Sequence, residues 1–530
     1  MDSSRTAATT PQVLIAGGGP VGLATAALLQ RRGIRTLVLE ADAGYCTGSR
    51  AICLSRRSLE ILGWIGADRF VTDIGLPWVG GRSYFRDREV LHFTMPSDPT
   101  ERFAPMVNVQ QYYVEEAAHR ALQACGGEVL WSTRLTDLRQ DADGVEVDVV
   151  DVDGKVSSIR ADWLIACDGG RSTVRERLGL QLEGVQYEGR YVIVDIEQET
   201  RRAVERLAWF DPPSNPGSTI LMHRQPGNVW RIDYQIRDDE DPAQAVDPAN
   251  VLPRVRSHLE MIGESAPWTP LWISIYNAKC LTLGDYRAGR VLFAGDAAHL
   301  VPIFGVRGLN SGLDDAGNLG WKLAAVIDGS APVTLLTSYT SERLHAAREN
   351  IAYGAKSTEF MAPPHFGFRL MREAALRVAL ENAAVGSLIN PRQSTPVAYE
   401  ASPLNQVGDR MTGVGEPAPE ASIGHAEITH LSQLFGRVFV ALVFSDEPSP
   451  PKHGASMNRL AVIRVARSGE STADVVVDFH GQAWDRYGVR PGEVVLVRPD
   501  GYVMGRRDAF DHRELVRSID ASLANEGAPS

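Results

Sequence analysis

The feature that most constrains this chain lies in residues 12–40. Gln12-Val13-Leu14-Ile15-Ala16 is a short apolar run with β-branched residues, and it ends in Gly17-Gly18-Gly19-Pro20-Val21-Gly22. Leu23 to Leu29 is a helix-forming run, and Thr36-Leu37-Val38-Leu39 is a second strand that closes in Glu40. Gly17 allows the tight turn, Gly19 lets the backbone approach a pyrophosphate, and Gly22 lets helix and strand pack closely. The helix N-terminus offers unpaired N–H groups and a positive dipole end to phosphates. Glu40 stands 18 residues past Gly22, near the ~20 expected of a carboxylate that accepts from ribose hydroxyls. The unit reads as dinucleotide-binding, although GxGxxG alone also fits a glycine turn with no ligand. It does not separate FAD from NAD.

Two later motifs bear on that choice. Asp162 to Cys167 reads as a buried strand, followed by Asp168-Gly169-Gly170-Arg171-Ser172-Thr173-Val174-Arg175. By itself this is also a turn and a helix cap. Gly289 to Ala294 is a further strand, closing in Gly295-Asp296-Ala297-Ala298-His299. Then come Pro302, Ile303, Phe304, Gly305, Val306, Arg307, Gly308, Leu309, Asn310 and a helix through Asp314, Asp315, Asn318 and Lys322. Asp296 at a strand end can accept from a ribityl or ribose hydroxyl. The glycine-rich stretch before the helix suits the negatively charged N1–O2 edge of a reduced flavin. His299 reads as a hydrogen-bonded structural histidine rather than a catalytic one.

Together, GxGxxG with Glu40, DGGRSTVR and GDAAH…GLNSG…DAGNLGWKL resemble the class A flavoprotein monooxygenases, the group of p-hydroxybenzoate, phenol and hydroxyphenylpropionate hydroxylases. The resemblance covers residues 11–350. It implies an α/β chain with a Rossmann-like FAD-binding domain of the p-hydroxybenzoate hydroxylase type, an inserted β-sheet substrate domain and a C-terminal thioredoxin-like domain. The expected borders are 1–75, 105–185 and 285–350 for FAD binding, 76–104 and 186–284 for substrate, 351–400 for a helical connection, and 401–530 for the last domain. The resemblance assigns Arg50 to the pyrophosphate and Gln111 to the ribityl chain. With Gly17, Gly19, Gly22, Glu40, Asp168, Asp296, Pro302, Gly308, Leu309 and Asn310 these make the expected FAD site. Pro302 also counts as a catalytic position at the ring. Two departures, Pro302-Ile303 and Gly305-Val306-Arg307, fall where substrate meets flavin.

No second GxGxxG unit appears, which argues against reductases that bind NAD(P)H on a Rossmann fold of its own. The resemblance implies that NADH or NADPH approaches the flavin transiently, near Asp168, Arg171 and Arg50. It further implies hydroxylation of a phenolic aromatic substrate by O2 through a flavin C4a-hydroperoxide, which requires that water be excluded. Tyr191–Ile196, Ser218–His223, Trp230–Ile236 and Leu271–Tyr276 alternate and read as strands half-covered on one face. Tyr187, Met222, His223, Tyr234 and Trp272 are the inward candidates, and His223 and Tyr234 are those for the phenol-deprotonating base. Arg231, Arg307 and His223 are candidates to meet a substrate carboxylate. Two alternatives stand: epoxidation or Baeyer–Villiger chemistry on a polyketide or other natural product, and a non-catalytic flavin-binding protein.

Gly413 to Pro419 reads as a linker. Arg437–Phe444, Val494–Val503 and a helix from His512 to Ala524 then resemble the thioredoxin-like domain of the phenol hydroxylase branch. No cysteine follows Cys280, so C-x-x-C redox activity is excluded, and the resemblance implies a structural or homodimer-forming role. Composition narrows the remaining classes. Lysine plus arginine number 54 against 66 acidic residues, a net charge of −12, which disfavours nucleic-acid binding. The five cysteines have neither disulfide nor zinc spacing, and no metal site is expected. No run of ~18 apolar residues exists to span a membrane. The first ten residues have no apolar signal region, and a cytoplasmic location is the expectation.

Overall fold

The first strand, Val13–Ala16, is buried along its whole length, as a strand covered on both faces must be. In the computed structural model it pairs in parallel with Thr36–Leu39 and with Trp163–Ala166. Val291–Phe293 extends the sheet beyond Trp163–Ala166, Glu128–Leu130 extends it beyond Thr36–Leu39, and Arg287–Ala288 closes one edge antiparallel. The described residues are 10–237, 239–302, 304–390, 393, 395–406, 410–425, 427–447 and 459–524, without the side chains of 187–189, 278 and 388. Three neighbouring parallel strands thus deliver their carboxyl ends, each followed by a glycine motif, to the same edge. That edge is where open α/β sheets bind ligands.

Helix Pro20–Gln30 starts at Gly19 and lies against helix Gly308–Ile327. Small residues set the approach. A methyl group on Gly312 would fall 2.6 Å from Val21 Cγ2, and one on Gly320 would fall 3.2 Å from Leu28 Cβ.

A second sheet has eight strands. Their order is His299–Leu300, Trp268–Thr282, Glu183–Gln198, Val229–Gln235, Thr219–Gln225, Arg206–Phe210, Gly80–Phe85 and Arg88–Thr94. Neighbours run antiparallel except Arg206–Phe210 beside Gly80–Phe85, which run parallel. The alternation in these strands predicts one covered face, but in Tyr191–Ile196, Arg206–Phe210, Thr219–Gln225 and Val229–Gln235 the structure covers both, while Leu271–Tyr276 stays partly exposed. Val194, Met222, Ile232 and Tyr234 pack outward, in one cluster with Val251 and Val255 of helix Pro248–Met261. Tyr191, Ala208, Phe210 and Leu221 pack inward with Phe304 and Met361. The alternation therefore separates two buried surfaces.

His258, on that outer helix, accompanies the buried cluster. Its Nδ1 lies 2.9 Å from Ser214 Oγ, and its ring meets Trp209 edge-on at 4.7 Å. Burial, helped by Arg202, pushes its imidazole from 6.5 down to about 3. Between those values the unfolded chain binds a proton that the native chain refuses, so stability falls as pH drops below 6.5. This group should remove about 2 kcal/mol between neutral pH and about pH 5. Urea midpoints at both pH values test it, and His258→Gln should flatten the difference.

The last domain carries five strands in the order Val475–Val477, Leu460–Ala466, Phe439–Phe444, Val494–Val497 and Val503–Arg507. The first three are parallel and the other two antiparallel. Helix His512–Ala524 buries Leu515, Ile519 and Leu523 in a cluster that includes Trp321 of the long helix Gly308–Ile327. Gly413 to Pro419 is not a free linker. Gly415 N–H donates to Val503 O at 2.8 Å, and Ala418 N–H donates to Gly501 O at 2.9 Å, so the segment lines the final hairpin. Among the described residues, no helix is long and apolar enough to cross a membrane.

Candidate active site

At the first motif, geometry explains each glycine. Gly17 has φ +105°, and a methyl there would sit 2.3 Å from Cys167 O. A methyl on Gly22 would sit 2.0 Å from Gly17 O. Gly19 is different: it opens the helix with no side-chain cap, and nothing lies within 4 Å of where its Cβ would be. Space and unpaired helix N–H groups therefore coincide there, as a pyrophosphate requires. Glu40 ends the second strand, its Oε2 accepting from Gly18 N–H at 2.6 Å and its Oε1 from Asp42 N–H at 2.8 Å.

The other two motifs converge on this one. Asp168 Oδ2 accepts from Val174 N–H at 3.1 Å, while Oδ1 is buried without a partner among the described residues. Burial pushes this carboxyl up, against the hydrogen bond from Ser172. Arg175 Nη1 donates to Ala297 O at 3.0 Å and so ties the second motif to the third. Asp296 is exposed beside buried Gly295 and Ala297. The protein mass around it pushes its carboxyl up, against the pull of His299. Gly295 sits against Val21, where a methyl would come within 3.3 Å.

Pro302 is buried against the long helix Leu335–Met361, where a methyl on Gly354 would fall 2.8 Å from its Cγ. Ile303 lies outside the described residues. Gly305 and Val306 both have positive φ, +88° and +52°, which for a β-branched valine is strained. Gly308 then starts the helix with open space where a Cβ would be, and Leu309 beside it is half-buried. Asn310 explains how the strained turn is held. Its Nδ2 donates to Val306 O at 2.5 Å and Cys53 O at 3.1 Å, and its Oδ1 accepts from Ser55 N–H and Ser58 Oγ. The side chain of Asn310 is thus committed to protein.

The loop carrying Arg50 joins this end to the eight-stranded sheet. Arg50 is exposed at φ +41°, and its carbonyl accepts from the Arg231 guanidinium. Ser49 N–H and Oγ donate to Asp195, at 3.1 and 2.9 Å. Gln111 Oε1 accepts from Ala51 N–H at 3.2 Å, and its Nε2 donates to Glu115 at 2.8 Å. In this arrangement Gln111 holds the loop. Trp272 packs beneath Gly48, where a methyl would fall 2.4 Å from its ring.

On the sheet's inner face stand Asp195, His223, Arg231, Asp233 and Arg206. His223 is buried with Nδ1 4.0 Å from Cys53 Sγ, and Cys53 Sγ lies 2.9 Å from Asn108 Oδ1. Burial, with Arg206 and Arg231 adding to it, pushes the His223 imidazole far below its usual range, so the ring is neutral. Burial pushes the Cys53 thiol up to about 12. The structure does not bring Tyr234 or Met222 to this face. Each is one residue out of phase with His223 or Asp233, so each points toward helix Pro248–Met261, and the Arg254 guanidinium covers the Tyr234 ring. The side chain of Tyr187 lies outside the described residues. Of the carboxylate candidates, Arg231 is paired with Asp233 at 2.8 Å, and Arg307 donates to Asn350 Oδ1 at 2.8 Å.

Sequence reasoning missed Ser49, Asp195, Asp233, Arg206, Asp315 and Arg343. Asp315 is fully buried, accepting from Gly295 N–H at 2.8 Å and pairing with His299 Nε2 at 2.7 Å and Arg343 Nε at 2.6 Å. Burial opposes its charge, but His299 and Arg343 outweigh burial and hold the carboxyl below its usual range. The carboxylate clamps the loop that presents Asp296. Its DAGNL context was a usable signal; register brings Asp195, Arg206 and Asp233 together, and packing of a loop and a helix brings in Ser49 and Arg343.

Residues 10–353 match the family described as FAD binding domain. The chain is 31% identical, over 96% of its length and 92% of the relative's, to 3-(3-hydroxyphenyl)propionate/3-hydroxycinnamic acid hydroxylase of Mycolicibacterium smegmatis. It is 28% identical, over 96% and 93%, to 6-methylpretetramide 4-monooxygenase of Streptomyces rimosus. A solved structure of the flavin-dependent monooxygenase PieE with FAD and substrate has the same fold, with TM-score 0.80 and 23% identity, covering 97% of this chain and 99% of that one.

Proposed function

From the premise that this chain belongs to the FAD binding domain family and is an FAD-dependent aromatic monooxygenase, we propose that it hydroxylates a phenolic substrate on the inner face of its eight-stranded sheet, with O2 and NAD(P)H consumed. The observation that carries this is the meeting of three distant motifs with that sheet. Val21 touches Gly295 and Gly312, Arg175 reaches Ala297, and Ser49 bonds Asp195.

The residues present fit FAD. The open space at Gly19 suits the pyrophosphate, the unpaired Oδ1 of Asp168 and the exposed Asp296 suit hydroxyls, and the open backbone at Gly308 suits the ring edge. In this reading Glu40 and Arg50 complete the nucleotide end, Gln111 acts through the Arg50 loop, and Pro302, Leu309 and Asn310 shape the ring end. Residues 1–75, 105–185 and 285–350 hold the cofactor, and 76–104 and 186–284 hold substrate. When bound, FAD supplies two-electron transfer and O2 activation.

The chain's own residues do the remainder. Phe304, Tyr191, Leu221 and Met361 form an apolar wall that keeps water out. His223 is neutral, and its Nε2 has no hydrogen-bond partner among the described residues. Of the two candidate bases it is the one on this face; burial, Arg206 and Arg231 oppose its protonation, so its part is to accept the hydrogen bond of the phenol O–H and orient the ring. A cleft of about 650 Å³ beside Asp168, lined by Arg171, Arg175, Lys279 and Leu300, is the approach for NADH or NADPH. A cytoplasmic enzyme, feeding on that pool and paired as a homodimer, completes the proposal, and the five free cysteines suit a reducing compartment.

The Streptomyces relative, named as a 6-methylpretetramide 4-monooxygenase, supports a natural product as a second substrate class. The test is NAD(P)H oxidation by the FAD-loaded protein with phenolic acids and polycyclic phenols. One substrate should stimulate it, with one O2 consumed per product gaining a single oxygen. Equal H2O2 release with every phenol would refute the reading.

A further inference from the structure

Arg206 lies in strand Arg206–Phe210, whose residues alternate between the two buried surfaces. Leu207 and Trp209 join the outer cluster, and Ala208 and Phe210 join the inner one. Arg206 therefore points inward. Leu207 pairs with Met222, which places Arg206 beside His223 on the neighbouring strand. Gly81 flanks it on the other side, where a methyl would fall 3.0 Å from Arg206 Cβ.

Arg206 is only 3% exposed, yet among the described residues its guanidinium donates no hydrogen bond and forms no ion pair. Its neighbours are otherwise engaged. Asp233 binds Arg231 through Oδ1, Asp195 accepts from Ser49, and Cys53 contacts Asn108. A guanidinium has five donors and no acceptor, and with 3% of the residue exposed few of them can be met by water. Burial pulls its pKa down to about 10, leaving it a cation at neutral pH. By contrast Arg231, the cation the sequence singled out, has its charge met within the protein.

We propose that Arg206 is the anion anchor of the substrate site: its guanidinium receives a carboxylate or ionised ring oxygen of the aromatic substrate, beside His223. This rests on the aromatic hydroxylase reading and narrows it to substrates carrying an anionic oxygen. The bidentate fork of the guanidinium suits either source.

The test uses FAD-loaded protein and the flavin absorbance change on titration. One pair of probes is 3-(3-hydroxyphenyl)propionate and its primary amide; the other is 4-nitrophenolate and 4-nitroanisole. Wild type should prefer the charged member of at least one pair, and which pair shows the preference identifies the oxygen. Arg206→Met should weaken that charged member about 100-fold and leave its neutral partner unchanged. Arg206→Lys should retain part of the preference and serves if the methionine variant fails to fold. An unchanged preference in both variants, or none in wild type, would overturn the anchor. If no aromatic probe perturbs the flavin at all, the hydroxylase reading itself fails.

Discussion

Replacing Gly22 by alanine is expected to yield a colourless protein. The added methyl would fall 2.0 Å from Gly17 O and 3.3 Å from Cys167 Cβ. Both contacts directly follow fully buried strands, Val13–Ala16 and Trp163–Ala166, so helix Pro20–Gln30 must move away from the sheet. Overpacking of this kind costs about 1–3 kcal/mol, and a shift of about 1 Å at a binding turn costs about 100-fold. FAD retention after gel filtration, with a urea midpoint, measures both effects. Gly19→Ala is the informative partner. Nothing lies within 4 Å of its methyl, so the protein should keep its stability while losing FAD affinity. If Gly22→Ala stayed yellow and as stable as wild type, the packing argument would be wrong.

Glu342→Gln is expected to be the most destabilising of the single changes considered. Glu342 is 2% exposed and meets Lys322 Nζ at 2.7 Å, Arg498 Nη1 at 2.6 Å and Asn318 Nδ2 at 2.7 Å, with Ser402 Oγ donating as well. Arg498 also pairs with Asp500 at 2.5 Å. Lys322 sits on the helix that begins at Gly308, and Arg498 belongs to the C-terminal domain, so one carboxylate joins the two. Removing one charge from a buried cluster leaves the others uncompensated, at about 3–5 kcal/mol. The midpoint of thermal unfolding should fall by several degrees, and adding Lys322→Met should cost less than the sum of the two singles. Burial opposes the charge on Glu342, but Arg498 and Lys322 outweigh it and hold the carboxyl well below its usual range. Its contribution is therefore complete above the ordinary glutamate pKa of 4.5 and is lost as pH falls below it. Wild type should show this acid loss, and Glu342→Gln should lack it. Equal acid sensitivity would show that the cluster does not bear on stability.

Residues whose role is backbone geometry could be read from the chain. Gly17, Gly22 and Gly312 sit where any side chain would collide, and Glu40 and Asp296 close strands recognisable by composition. Residues whose role depends on partners could not. Asn310 stands in a motif legible from the chain, but that its side chain bonds Val306, Cys53, Ser55 and Ser58 is not. Gly413 to Pro419 has a linker's composition, yet its N–H groups find carbonyls in the last hairpin.

His223 and Tyr234 show the division most clearly. Both lie in strands evident from alternation alone, and both are buried. Which one faces the loop of Ser49 and Arg50 depends on the pairing of Ile220 with Tyr234 and of His223 with Arg231, and a strand's own residues do not state which of its faces meets another domain. Chain order therefore determined the nucleotide-binding turns and the strands, because steric limits at glycine and side-chain periodicity act within a few residues. Tertiary structure alone decided that Tyr234 turns away, that Arg231 reaches the Arg50 carbonyl, and that Arg206 has no hydrogen bond or ion pair among the described residues, because those outcomes depend on register between strands and on neighbours far apart in the chain.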